Sequence, residues 1–144
     1  AIGLNQFKRL NKMIKARSVN RKKIINSLVR SDHWKNQLEF LQPTEKVKPS
    51  WFGLPILINK KFLKKKQKYL NYLNKNGIQT RPIISGNFLN QPVAKLYKLN
   101  KKNEKFKSAQ EIDKRGFFIG LHTNKTDNRT VKLLTKNLLM IDRL

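Results

Sequence analysis

NGIQTRPIISGNFLNQP, residues 76–92, is the stretch whose reading decides the fold. Asn76-Gly77 reads as a helix end, because glycine accepts the left-handed backbone that closes a helical ladder. Residues 78–84 then form a short strand, ending at or near Pro82. Residues 85–91 are a polar loop. Pro92 can open a short helix, since its missing N–H is not needed in the first turn. On the strand, Gln79, Arg81 and Ile83 share one face and Ile78, Thr80 and Pro82 the other. Arg81 at the strand end can clamp a phosphate or carboxylate through paired donors; the plainer reading is a surface charge or a salt bridge. In Ser85-Gly86-Asn87 the glycine permits a turn whose amides can face an anion. Asn87 offers both a donor and an acceptor to a sugar hydroxyl, against the plainer reading of an ordinary turn.

Working outward, residues 60–76 are predicted as a helix, with Asn59 as its N-cap. Phe62, Leu63, Tyr69, Leu70 and Leu73 form its buried face. WFGLPILI, residues 51–58, is short, apolar and aromatic-rich, as strands are, and Pro55 inside it argues for an edge position or a bulge. Trp51 and Phe52 can stack on a base or sugar, or simply fill the core. Residues 31–50 read as a loop with a short helix or strand near Leu38. Over residues 2–30, Phe7, Leu10, Ile14, Arg17, Arg21, Ile24 and Leu28 step by three and four, which predicts one long helix. Its two arginines interrupt an apolar stripe and either snorkel or meet carboxylates of a partner.

Downstream, residues 99–107 read as a charged connection. Ser108 caps a brief helix, with Glu111 completing a capping box, and Gly116 stops it. Residues 117–121, FFIGL, form a third strand. His122 follows, where an imidazole can bind a ligand or shuttle a proton, or serve as an ordinary hydrogen-bonded loop residue. Thr126 or Asp127 caps a last helix with Val131, Leu134, Leu138 and Ile141 on its core stripe. The sum is an α+β layer of about three short strands packed with helices.

Composition sets limits. The 144 residues are 38% hydrophobic and 9% aromatic, enough for one folded domain. There are no cysteines and only two histidines, His33 and His122, so no metal site is expected. Apolar runs are too short for a membrane-spanning helix, no leader is expected, and a cytoplasmic protein is the default. The chain begins at Ala1 already in helical pattern, which suggests a piece of something longer. Net charge is +25. Lysine outnumbers arginine 25 to 8, with 16 asparagines and 12 isoleucines. An AT-rich coding bias explains that pattern better than a nucleic-acid partner, and the lysines of residues 60–68 read as a solvated face. A basic nucleic-acid-binding module remains the alternative. The six glycines are scattered, no nucleophile elbow is present, and no carboxylates form an acid/base pair. No catalytic residue is identified.

Four stretches together resemble the DegT/DnrJ/StrS family of pyridoxal-phosphate-dependent sugar aminotransferases. AIGLNQFKRLNKMIKARSVNRKKI looks like the family's AA-x-G-x-x-Q-L…R-x-x-N helix, and SWFGLPILI like its first small-domain strand. NGIQTRPIISGNFLNQP resembles its GI-x-TRP…GN…QP segment, and GFFIGLHTN its GF-x-(I/L)-G-x-H strand. The resemblance covers nearly the whole chain, and the GN-x-x-x-QP form is closest to the branch containing pyridoxamine-phosphate-dependent ketosugar dehydrases. It implies the small C-terminal domain of a fold-type I enzyme, with residues 1–30 as a connecting helix and 31–144 as the domain. It implies a homodimer, a nucleotide-sugar substrate, and a role in amino- or deoxysugar synthesis for surface polysaccharide such as lipopolysaccharide. Arg81, Asn87 and His122 are then the expected substrate contacts. The cofactor and its catalytic lysine, or histidine in the dehydrases, are expected upstream of Ala1, so this chain alone is expected to bind no cofactor and to be inactive.

Overall fold

Leu10–Val29 contains no glycine or proline and forms a 20-residue helix, α2. A shorter helix, α1 (Ile2–Phe7), precedes it. The single helix expected over residues 2–30 is thus interrupted at Lys8 and Arg9, with no glycine or proline at the break. Phe7 is 72% exposed and Leu10 is also exposed. Short helical segments without tertiary packing have little stability, so the ladder is weakest where the stripe has nothing to pack on. Farther along, Ile24 and Leu28 reach the core. The computed structural model describes residues 2–99 and 105–144; residues 100–104 of the expected charged connection lie outside them.

Four strands form one antiparallel sheet in the order β1-β2-β4-β3: β1 (Leu38–Phe40), β2 (Gly53–Ile58), β3 (Thr80–Arg81) and β4 (Gly116–Gly120). The α+β reading holds, and the segment near Leu38 supplies a fourth strand. The strand expected over 78–84 is confined to Thr80–Arg81. Pro82 has no amide to continue the ladder, and the chain then turns with Ser85 at φ 62.

Pro55 does not lie on an edge strand, because β1 and β4 flank β2. The Asn59 N–H donates to the Gln37 carbonyl (2.9 Å). Donors alternate sides along a strand, so Leu57 and Pro55 also turn their nitrogens toward the β1 flank. β1 ends with Phe40 opposite Ile56. The missing N–H of Pro55 therefore faces a flank with no strand on it.

The buried face of the sheet, including Leu54, Ile56, Ile58, Phe117 and Ile119, forms a core with residues of α2 and of the helices that follow. Asn59 caps a 3-10 helix, Lys60–Lys65, by accepting the Lys61 N–H at 3.0 Å. That turn leads into α3 (Lys66–Lys75), where Tyr69 and Leu73 are fully buried. The Tyr69 hydroxyl donates to the Leu138 carbonyl (2.8 Å), and its ring meets Phe117 edge-on; burial pushes its pKa upward. Gly77, at φ +77, turns the chain out of α3 as expected. Next come α4 (Pro92–Leu96), α5 (Lys107–Arg115) and α6 (Asn128–Leu138). Asp127 caps α6, accepting the Thr130 N–H at 2.7 Å, and Val131, Leu138 and Ile141 are buried as the stripe predicts.

The capping box expected at Ser108 does not form. The residue capping α5 is Phe106, with no side-chain cap bond. Glu111 is held instead by the stronger attraction of two cations, Arg115 at 3.0 Å and Lys60 at 3.3 Å. Arg115 is buried, and its Nε donates to the Ile58 carbonyl at 2.8 Å. Its two terminal nitrogens reach Glu111 and Glu39. One guanidinium thereby joins β1, β2 and α5.

These contacts, the Arg115 hydrogen bond first, hold the Glu111 pKa below its usual value. A carboxylate depressed in the folded state stabilises above its unfolded pKa, about 4.3, and that stabilisation is lost as pH falls through the lower folded value. Urea unfolding at stepped pH is expected to show the midpoint falling across that acid range. Glu111→Gln is expected to make the decline shallower.

Candidate functional site

A cavity of about 480 Å³ opens beside the pairing of β3 with β4, and Arg17, Arg81, Phe52, Phe118 and His122 are among its lining residues. Arg81 stands opposite Phe118 in the antiparallel ladder, so the two side chains leave the sheet on the same face. The Phe118 ring needs a glycine at its diagonal neighbour on β2: a Cβ on Gly53 would lie 2.6 Å from its Cδ2 and 2.8 Å from the Ile119 carbonyl oxygen. Phe52 packs at 5.9 Å from Phe118 while remaining 63% exposed. The Arg17 guanidinium lies 5.8 Å from the Phe52 ring centroid, within cation–π range.

His122 lies just beyond β4 and is exposed. What fixes it is Asn20, which is fully buried on α2. The Asn20 amide donates to the carbonyls of His122 (3.0 Å) and Asn124 (2.7 Å), and its oxygen accepts the Thr126 N–H (2.9 Å). The His122 Nδ1 accepts the Asn124 N–H at 3.0 Å. With Nδ1 so engaged, the neutral ring carries its proton on Nε2, free to donate to a ligand.

The cavity brings together two of the three expected contacts, Arg81 and His122. Asn87 lines a different cavity, with Phe106 and Gln110 among its neighbours. It is buried, its amide donates to Gln110 Oε1 (2.8 Å), and its oxygen accepts the Leu89 N–H (3.2 Å). The Gly86 amide, expected to face an anion, instead closes a turn onto the Ile83 carbonyl (2.9 Å).

Arg17 is the cavity residue whose part the sequence reading did not foresee; the signal was an arginine breaking an apolar stripe. The other such arginine, Arg21, donates to the Leu41 carbonyl (2.5 Å) and lies 4.2 Å from the Trp51 ring centroid, and burial lowers its pKa. The Nε atoms of both arginines are buried without a partner among the described residues.

The cavity lining includes two arginines and an imidazole but no lysine and no carboxylate. It suits an anion with an attached flat or apolar group. It offers neither the amine of a Schiff base nor the acid that pairs with a pyridine nitrogen, so these residues do not fit pyridoxal phosphate. Among the described residues no cluster of three or more His, Cys, Asp or Glu could hold a metal, and no helix is long and apolar enough to cross a membrane.

Asn20→Ala leaves two carbonyls and an amide without their partner. It is expected to cost about 2–4 kcal/mol in denaturant unfolding and to speed hydrogen exchange in residues 122–126.

The model of the DegT/DnrJ/EryC1/StrS aminotransferase family matches residues 1–136. A GDP-4-keto-6-deoxy-D-mannose 3-dehydratase of Escherichia coli O55:H7 is 34% identical over 123 residues, 85% of this chain and 30% of that protein. A solved E. coli GDP-4-keto-6-deoxy-D-mannose-3-dehydratase with bound hydrated PLP superposes with a TM-score of 0.75 at 27% identity, covering 95% of this chain and 33% of that one. A solved GDP-4-keto-6-deoxymannose-3-dehydratase mutant with bound GDP-perosamine gives a TM-score of 0.73 at 27% identity, covering 95% and 34%. The chain thus spans about a third of the length of these relatives. With the fold and nearly the full run of residues in agreement, the chain belongs to the DegT/DnrJ/EryC1/StrS aminotransferase family.

Proposed function

We propose that this chain is the C-terminal part of a nucleotide-sugar aminotransferase, with residues 1–30 as a connecting helix and 31–144 as a small domain over the substrate. The observation that carries the reading is the convergence of Arg17, Arg81 and His122 on one cavity, from three of the four stretches that resemble the family. Arg17 and Arg81 supply positive charge for the diphosphate, with Arg81 free to engage two oxygens. The His122 Nε2–H donates to a phosphate oxygen or a sugar hydroxyl. Phe52, largely exposed beside Arg17, offers its ring face to the base or the hexose. Asn87 supports the substrate side by ordering the loop that follows β3.

Pyridoxal phosphate and its lysine or histidine partner belong, in this proposal, to residues outside this chain, and the full-length enzyme is a homodimer. Cytoplasmic location and a role in lipopolysaccharide synthesis are parts of the same proposal. A second reading is dehydration of a ketosugar, supported by the 34% identity to a 3-dehydratase.

Titrating GDP into the 15N-labelled chain tests the site. Chemical shifts are expected to move at Arg17, Arg81 and Phe118–His122, and Arg81→Ala is expected to weaken binding about tenfold, the loss of one charge-assisted contact. Unmoved resonances at millimolar GDP would refute the assignment. The two reactions separate by mass spectrometry of the longer polypeptide's product from a GDP-4-keto-6-deoxy sugar. Transamination is expected to leave an amino group on the sugar, and dehydration a sugar short of one hydroxyl.

A further inference from the structure

A second charged region lies away from the cavity described above. Two adjoining hollows run along the seam where α2 packs on α6 and share Ser27 and Lys132; a third, lined by α6 alone, shares Lys132 and Lys136 with the first. The seam has cations on both walls: Lys23 and Arg30 from the α2 side, Lys132, Lys136 and Arg143 from α6 and the turn after it; Arg129 adds a sixth in the α6 hollow. No carboxylate lines any of the three.

Asp32 lies exposed beside the seam, between Ser31 and His33, and four other acidic side chains already have partners. Glu39 and Glu111 hold Arg115, Asp142 pairs with Lys35, and Asp127 caps α6. Among the described residues, none of these six cations is in an ion pair. Lys23 is aligned by donating to the Thr126 carbonyl (2.8 Å). Ser27, Ser31 and Thr135 line the same seam; Thr135 donates to Ser27 (2.8 Å), which leaves the Ser27 hydroxyl proton for a ligand.

We propose that the α2–α6 groove binds the phosphodiester backbone of a double-stranded nucleic acid without reading its sequence. Coding bias explains how many lysines the chain has, but not a trough with cations on both walls and no acid between them. Neighbouring cations raise the potential together and draw in a polyanion. From Lys132 to Arg143 the groove follows helix for roughly 20 Å, the rise along a duplex axis of about six phosphates of one strand. No Phe, Tyr or Trp lines it, so it lacks the stacking platforms that hold unpaired bases. Backbone contact is what remains. This inference does not rest on the sugar-nucleotide reading.

The test is fluorescence-anisotropy titration of a mixed-sequence 20-base-pair duplex against the 144-residue chain at several salt concentrations. Lys132, Lys136 and Arg143 are exposed, so replacing all three with Gln leaves the core intact, which circular dichroism checks. Each lost phosphate contact removes about 0.9 from the slope of log K against log salt. The triple variant is expected to flatten the slope by about 2.7. A control, Lys61→Gln/Lys64→Gln/Lys75→Gln, removes equal charge from exposed sites on the 3-10 turn and α3 and is expected to keep the slope. Equal loss in both variants would assign binding to bulk charge and overturn the proposal. So would no duplex binding at 50 mM salt, or tighter association with phosphatidylglycerol vesicles than with the duplex.

Discussion

Three hydrogen bonds from one buried amide hold the two ends of this chain together. Asn20 sits on the first long helix, and its partners His122, Asn124 and Thr126 lie on the loop between β4 and α6. Burial makes the bonds matter: a polar side chain in the interior is stabilising only when its partners are all in place. The same three bonds fix the backbone of His122, Asn124 and Thr126, the loop that leads to the Asp127 cap of α6. Arg17, one helical turn before Asn20, is thereby brought to the cavity that Arg81 reaches from the other side.

The charge distribution has its own logic. The chain carries 33 basic and 8 acidic side chains, so most cations cannot be paired. Two are buried among the described residues, and Arg115 is paired in full, taking two carboxylates and a backbone carbonyl. Arg21 solves the same problem without a carboxylate, through the Leu41 carbonyl and the Trp51 ring. A guanidinium tolerates both environments because it is planar and weakly hydrated, which an ammonium is not.

Legibility in the sequence followed the range of the forces involved. Asn59, Gly77, Pro92 and Asp127 act through bonds a few residues away, and each is found in its expected role. The core stripe of α6 was likewise readable, because one helix determines its spacing. β1 was harder, since three residues become a strand only beside Ile56–Ile58. The Ser108 box lost to a longer-range attraction between Glu111 and two cations. Arg81 and His122 were found by motif and do meet at one cavity. Arg17 could be seen only as an interruption, because its neighbours Phe52 and Phe118 arrive from distant strands.

Pro55 has a consequence for how this sheet meets other chains. Open flanks with free donors and acceptors invite foreign strands to pair with them. On the β1 side, the ladder stops at Ile56 and the next nitrogen on that flank is the tertiary amide of Pro55, with no proton to donate. An intruding strand would find a gap in its hydrogen-bonding row at the first step past Phe40. The ring thus ends the pairing on that flank of β2 where β1 stops.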